Sequence, residues 1–292
     1  MTSMTTRRPV VRHVVRPPAD GGPAGSVDGG SDGGRTSTPR PDTLAVEEPL
    51  EIRVDGRPFT VTMRTPGHDV ELALGFLVAE GVVRSRADVV SARHCPDAAL
   101  DADGRPTHNV VEVALRAGVT PPQRSLERVV SSACGVCGTE SVDAVRARCA
   151  ADLTADATAV DGAVLAGLPD RLRTAQRAFD RTGGLHAAGL FTADGGLVRA
   201  REDVGRHNAV DKVVGWSLQQ GALPLAGHVL QVSGRASFEL VQKAWLAGCP
   251  VLAAVSAPSS LAVDLAVEAG MTLVGFSRGS SFNVYSGGHR VR

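Results

Sequence analysis

Leu50, Ile52 and Val54 alternate with polar residues, and so do Phe59, Val61 and Met63 on the far side of Asp55-Gly56. This alternation predicts two half-buried strands joined by a tight hairpin, because Asp and Gly tolerate the positive φ angles such turns need. Thr65-Pro66-Gly67 ends the second strand. The period then becomes helical: Val70, Ala73, Leu74 and Leu77 share a face between a capping Asp69 and about Glu80, with Gly81 as the stop. Val111, Val113 and Leu115 restore the strand rhythm, which places a small α+β domain over residues 43–128.

Farther along, Leu168, Leu172, Ala175 and Phe179 mark a helix stopped by Gly183-Gly184. Residues 186–191 form a buried apolar run, and Asp194-Gly195-Gly196 turns it into a partner strand from Leu197. A helix bearing Ala209, Val210, Val213, Val214 and Leu218 leads to strands at 229–232, 251–255 and 272–275, separated by helices near 238–241 and 261–268. Apolar strands alternating with short helices predict a largely parallel sheet covered on both faces. The expected fold class is mixed α/β: a three-layer α/β/α domain over 150–292 and the smaller α+β domain, with a cysteine loop and helix over 129–149 between them.

The N-terminal region has a different texture. Twelve of the 26 residues from Pro17 to Asp42 are Gly or Pro. Such a segment cannot bury enough apolar surface to offset its ordering entropy, so residues 1–42 are expected to be mostly disordered. Within them, the β-branched run Val10-Val11-Arg12-His13-Val14-Val15 is expected to add an edge strand to the folded part.

Composition limits the partners. With 292 residues, 43% of them hydrophobic, the chain can bury a sizeable core. Lys plus Arg equals Asp plus Glu at 31 each, so no net field draws the protein to nucleic acid or a membrane surface. An anionic ligand must be met locally. No run approaches the roughly 18 apolar residues of a spanning helix, and Arg7, Arg8 and Arg12 precede no apolar leader, so a cytoplasmic location is expected. Five cysteines are an odd number for a disulfide framework, and in a reducing compartment a close pair points to chemistry.

That pair is Cys134 and Cys137, in Ser131-Ser132-Ala133-Cys134-Gly135-Val136-Cys137-Gly138-Thr139-Glu140-Ser141. This spacing serves disulfide exchange, metal ligation or carriage of a sulfur atom. Thr139 or Ser141 can cap a helix running to about Cys149 with Val142 and Val145 inward, and a helix N-terminus beside the thiols would favour the thiolate. Zinc would need further ligands, and His94, Cys95 and Cys149 lie outside regular spacing. Cys95, Cys149 and Cys249 read as buried, inert thiols.

Three strand ends offer ligand groups: Ser233-Gly234-Arg235, Ser256-Ala257-Pro258-Ser259-Ser260 and Phe276-Ser277-Arg278-Gly279-Ser280-Ser281. Ligands of open α/β sheets bind at the carboxyl ends of strands, where hydroxyls, free N–H groups and Arg suit phosphate and Phe276 suits a base. Ordinary loop punctuation accounts for the same residues equally well. The charged run from Glu202 to Lys212 is either a solvated helix start with Asp203 near its cap, or a lining in which Arg206, His207 and Lys212 face an anion. His186 and Ala188 echo the H-x-E of zinc deaminases, but the essential Glu is absent, Ala133 replaces the Pro and the C-x-x-C comes first, which excludes that reaction.

Taken together, the cysteine motif, Gly183-Gly184-Leu185-His186-Ala187-Ala188, the run from Arg201 to Lys212 and Ser233-Gly234-Arg235 resemble the FdhD family of formate dehydrogenase accessory sulfurtransferases. Glu48-Pro49-Leu50 and residues 75–81 resemble its N-terminal half. The resemblance implies that a cysteine desulfurase passes sulfur to Cys134 as a persulfide, with Cys137 as companion thiol. The sulfur then goes to the bis-molybdopterin guanine dinucleotide molybdenum cofactor before that cofactor enters formate dehydrogenase. It implies cofactor binding by Phe276, Ser277, Arg278, Gly279, Ser280 and Ser281, with Arg235 and His207 alongside, hence GDP binding. A C-terminal domain similar to the cytidine deaminase fold, a homodimer and no permanently bound metal are also expected. A non-covalent cofactor chaperone and a zinc-stapled scaffold are the alternatives.

Overall fold

A computed structural model describes residues 3–15, 35–95, 107–121, 129–130 and 152–292. Cys134, Cys137, Cys149 and the helix expected between them lie outside the described residues.

The N-terminal unit is a five-stranded sheet covered by one helix. Strands β3 (Glu48–Val54) and β4 (Arg57–Arg64) form the expected hairpin, with Asp55 at φ 49° and Gly56 at φ 77° in its turn. β5 (Val89–His94), β6 (Val110–Leu115) and β7 (Val129–Val130) complete the order β5-β6-β3-β4-β7. Leu50, Ile52 and Val54 point from β3 into the core. Helix α1 (Asp69–Ala79) starts where expected, but its N-cap is His68. The Asp69 carboxylate instead accepts hydrogen bonds from Arg64 Nε and the Gly67 N–H. All of α1 but Val70 is buried, because a second helix covers the side the sheet leaves open.

That second helix belongs to the C-terminal unit, built from α2 (Gly162–Ala175), α3 (Arg177–Thr182), β8 (His186–Thr192), β9 (Leu197–Asp203), α4 (Arg206–Gln219), β10 (His228–Val232), α5 (Phe238–Leu246), β11 (Val251–Ala254), α6 (Ser260–Glu268), β12 (Thr272–Arg278) and β13 (Ser281–Ser286). The sheet order is β13-β12-β11-β10-β8-β9. Only β10, β11 and β12 are mutually parallel, while β8, β9 and β13 run antiparallel to their neighbours, so the sheet is mixed rather than largely parallel. The reason is local: turns as short as Asp194-Gly195-Gly196, or the one holding Gly279 at φ 57°, join only antiparallel strands.

Alternate strand residues serve two cores. Ala187, Phe191, Val229, Val251, Ala253 and Val274 pack with Leu165, Leu168 and Leu172 of α2. Ala188, Leu190, Leu230, Val232, Leu252, Ala254 and Leu273 pack with α4, α5 and α6, in a cluster continuous with β3 and α1. Burial on both faces explains why these strands read as unbroken apolar runs. Helix α2 also begins earlier than its apolar spacing implied, at an Asp161 cap whose Oδ1 accepts from the Ala163 N–H, and it breaks at Gln176 before α3.

Part of the N-terminal region corrects the expectation of disorder. β1 (Thr5–Val15) pairs antiparallel with β2 (Arg35–Ala45) along its whole length. Most of the glycine lies between residues 20 and 34, whereas β2 is rich in Thr and Ser. A two-stranded ribbon has two open edges, so Pro9, Pro39 and Pro41 can sit in it without removing a needed donor. The strand around Val10–Val15 therefore forms, but pairs with β2 and not with the larger sheets. Among the described residues no helix is long and apolar enough to cross a membrane.

Candidate functional site

The carboxyl ends of β10, β11 and β12 open into a cavity of about 660 Å³. Ser233 follows β10, Val255 follows β11, and Ser277, Arg278 and Gly279 come from the end of β12. Gly183, Gly184, Leu185 and His186 lead into β8 along another side, Val204 follows β9, and α2 and α3 close the cavity with Pro169, Asp170, Leu172, Arg173, Gln176 and Phe179.

The wall at β12 depends on an irregularity. Phe276 sits in the left-handed region at φ 52°, with the register shifting between Gly275 and Arg278. A β-carbon on Gly275 would fall 2.9 Å from Pro258 Cδ and 3.0 Å from the Tyr285 ring, so a larger residue there would push β12 out of place. The bulge turns Ser277 fully inward, where its hydroxyl donates to the Leu165 carbonyl at 3.4 Å. It leaves Phe276 40% exposed beneath Arg278, whose guanidinium lies 5.7 Å from the ring centre. Arg278 Nε donates to the Val255 carbonyl at 3.0 Å, which fixes the side chain at the cavity edge.

Charge differs between the walls. On α2, Arg173 stacks 4.8 Å above the Phe179 ring and pairs with Asp180 at 2.5 Å, so its charge is already met. His186 is held below the usual histidine range, first by burial and then by the charges of Arg206 and His207, which leaves a neutral imidazole at neutral pH. Gln176 is only 4% exposed and its side-chain amide forms no hydrogen bond among the described residues. A buried amide facing a cavity without a partner leaves hydrogen-bonding capacity for a ligand.

Of the predicted binding residues, Ser277, Arg278 and Gly279 line this cavity, as does Ser233. Phe276 borders it through Arg278, whereas Ser280, Ser281, Arg235 and His207 are not in its lining. His207 is nearly buried, with Nε2 3.2 Å from Ser237 Oγ and 3.6 Å from Glu239. The neighbouring His207 pulls the Glu239 carboxyl down to about 2.

The charged run into α4 is neither a solvated face nor, for most of its length, a ligand lining. Asp203 and Lys212 are fully buried and paired at 2.7 Å. Lys212 Nζ donates to the Thr65 carbonyl at 2.8 Å, and Asp203 accepts from the Thr65 N–H at 3.1 Å. Asn208 Nδ2 donates to the Met63 carbonyl at 2.7 Å, and Arg201 forms a two-pronged pair with Glu71 at 2.6 and 2.7 Å. These groups tie β9 and α4 to the end of β4 and to α1. Desolvation, invisible in a list of charges, decides this role.

Asp170, Arg173 and Gln176 line the cavity without having been singled out in the sequence, and Phe179, read there only as a helix-face residue, lines it too. The apolar spacing that reveals α2 says nothing of which polar residues overlook the sheet edge. Ala188 lies wholly in the core, so the place of the deaminase Glu holds no group that can reach a ligand. Among the described residues, no three His, Cys, Asp or Glu side chains group as metal ligands. Cys249 is buried, with its thiol pushed up to about 12 by desolvation, and Cys95 is half-buried.

A family profile described as the FdhD/NarQ family matches residues 45–292. The sulfur carrier protein FdhD of Streptomyces avermitilis is 61% identical over 262 residues, covering 88% of this chain and 92% of its own. Its namesake from Nocardia farcinica is 58% identical over 253 residues, covering 87% and 89%. That of Mycobacterium tuberculosis is 56% identical over 255 residues, covering 86% and 92%. In three dimensions, the crystal structure of a proposed formate dehydrogenase accessory protein from Desulfotalea psychrophila shares the fold, with a TM-score of 0.72 at 23% identity over 99% of this chain and 100% of that one.

Proposed function

The chain belongs to the FdhD/NarQ family, and we propose that it is a sulfur carrier serving formate dehydrogenase, loaded at Cys134 and delivering to a guanine-nucleotide-bearing molybdenum cofactor. The identity of 61% to a named sulfur carrier along most of both chains is the observation that carries this reading. In the loading step a Cys134 thiolate attacks the terminal sulfur of a cysteine desulfurase persulfide. The new sulfur–sulfur bond forms as the donor's breaks, and the donor cysteine leaves as a thiolate. Cys137 is the companion thiol. The exchange is cytoplasmic and the working protein a homodimer.

The bis-molybdopterin guanine dinucleotide cofactor is the substrate of delivery, and the cavity suits one of its nucleotide ends. About 660 Å³ is in the range of small-molecule sites, and neutral His186, the inward Ser277 and the Arg278 guanidinium supply the few convergent polar groups such sites use. Arg278 and the Gly279 backbone would hold phosphate, which positions the substrate for an encounter with Cys134.

The test is to load the protein from a desulfurase with radiolabelled sulfur and map the labelled peptides in wild type, Cys134→Ala and Cys137→Ala. Label confined to Cys134 supports the carrier. Undiminished label in Cys134→Ala overturns it, and formate dehydrogenase that stays fully active with Cys134→Ala but fails with Arg278→Ala would establish a non-covalent chaperone instead.

A further inference from the structure

Among the described residues the cavity has one carboxylate in its lining, Asp170, on the α2 wall, and the end of β12 brings Arg278 and Gly279 to the same lining. Arg173 cannot cancel Asp170 fully, because it is already paired with Asp180 and stacked on Phe179. A ligand with an anionic end and a neutral end rich in N–H donors is therefore oriented by charge alone. Its phosphates are repelled from Asp170 and drawn to Arg278.

We propose that Asp170 is the base-specificity residue of this site, accepting the N1–H and N2–H₂ of guanine, with the Gln176 amide donating to the guanine O6. This rests on the guanine-nucleotide reading given above and assigns what selects the base. The chemistry is particular: guanine presents two adjacent donors beside one acceptor, and an ionised carboxylate is an acceptor with two oxygens, suited to a two-pronged contact. Adenine lacks the paired donors and carries an amine where guanine has O6. Gln176 is 4% exposed and its side chain has no hydrogen bond among the described residues, so it offers a donor for that oxygen. It stands where α2 breaks, at φ −84° and ψ 66°. Leu172, Leu185 and Val255 supply apolar surface for the faces of the ring. Asp170 itself is exposed on α2, so its carboxylate oxygens are open to a ligand.

The experiment is calorimetric titration of the full chain and of Asp170→Asn and Gln176→Leu with GDP, XDP and ADP. Xanthine replaces the guanine N2 amine with a carbonyl oxygen, which an asparagine amide can satisfy and a carboxylate repels. Wild type is expected to prefer GDP over XDP and ADP by about tenfold or more, a two-pronged contact being at stake. Asp170→Asn is expected to lose that factor for GDP and gain a comparable one for XDP, a gain that misfolding cannot produce. Gln176→Leu is expected to weaken GDP and XDP equally, since both carry O6. A wild type that binds GDP, with an Asp170→Asn variant whose GDP-to-XDP ratio is unchanged, overturns the assignment of Asp170. A wild type that binds neither nucleotide overturns the underlying nucleotide site as well.

Discussion

Gly75 of α1 and Gly215 of α4 are where the two units of this protein touch backbone to backbone. A β-carbon on Gly75 would lie 1.8 Å from the Asp211 carbonyl oxygen, and one on Gly215 would lie 1.8 Å from that of Glu71. No flexible side chain stands between the helices to give way. Alanine at either position normally favours a helix by about 0.5–1 kcal/mol over glycine. Here Gly75→Ala and Gly215→Ala are expected to destabilise by about 3 kcal/mol or more, because relief requires moving one helix off the other. Denaturant unfolding measures the difference, and a stabilised variant would contradict the close approach.

Lys212 and Asp203 form a buried ion pair within the C-terminal unit, and both hydrogen-bond to Thr65 of the N-terminal unit. Lys212→Met leaves the Asp203 carboxylate in the core with only the Thr65 and Gly205 N–H groups and the Asn208 amide around it. The expected loss is about 3–5 kcal/mol. The double variant Lys212→Met with Asp203→Leu is expected to recover part of it. Equilibrium unfolding of the four proteins in the cycle decides the matter.

Glu239 contributes a pH-dependent margin. Its folded pKa is depressed from 4.5 to about 2, chiefly by the neighbouring His207. The stabilisation is complete where the unfolded carboxyl is also ionised, above about pH 5, and it is lost as pH falls toward the folded pKa. The margin of wild type over Glu239→Gln is therefore expected to be largest near neutral pH and to shrink steadily below about pH 4.5. Denaturant midpoints of both proteins, followed from neutral pH down through 4.5 toward the folded value of about 2, test this.

Phe276 holds a left-handed backbone angle while 40% exposed, a conformation that suits asparagine better than a large aromatic. Phe276→Asn is expected to leave stability unchanged or raise it by up to about 1 kcal/mol. The same substitution is expected to weaken GDP binding by about tenfold, in keeping with the worth of an aromatic platform to a base. Thermal unfolding with and without GDP reads both effects at once.

Short-range pattern fixed much of this architecture. The Asp55-Gly56 hairpin, the helix stops at Gly81 and Gly183, the Asp194-Gly195-Gly196 turn and the succession of strands β8 to β12 along the chain follow from local periodicity and from residues that tolerate special backbone angles. The strand end bearing Ser277, Arg278 and Gly279 was legible as well, because ligands of open sheets meet the carboxyl ends of strands. The β1–β2 ribbon escaped composition, since Gly and Pro content averaged over 26 residues conceals an 11-residue segment able to pair.

What the chain alone could not decide was the environment of its charges. Asp203, Lys212, Arg201 and Asp211 look solvated in one dimension, and only docking of α1 on α4 removes water and turns them into a fastening. Asp170 and Gln176 look like ordinary helix residues until the packing of α2 brings them into one cavity lining with Arg278. Sequence spacing records which residues share a face of their own element. Which face of another element they meet, and how dry the contact is, depends on contacts far apart in the chain, and the electrostatics of the site follow from that dryness.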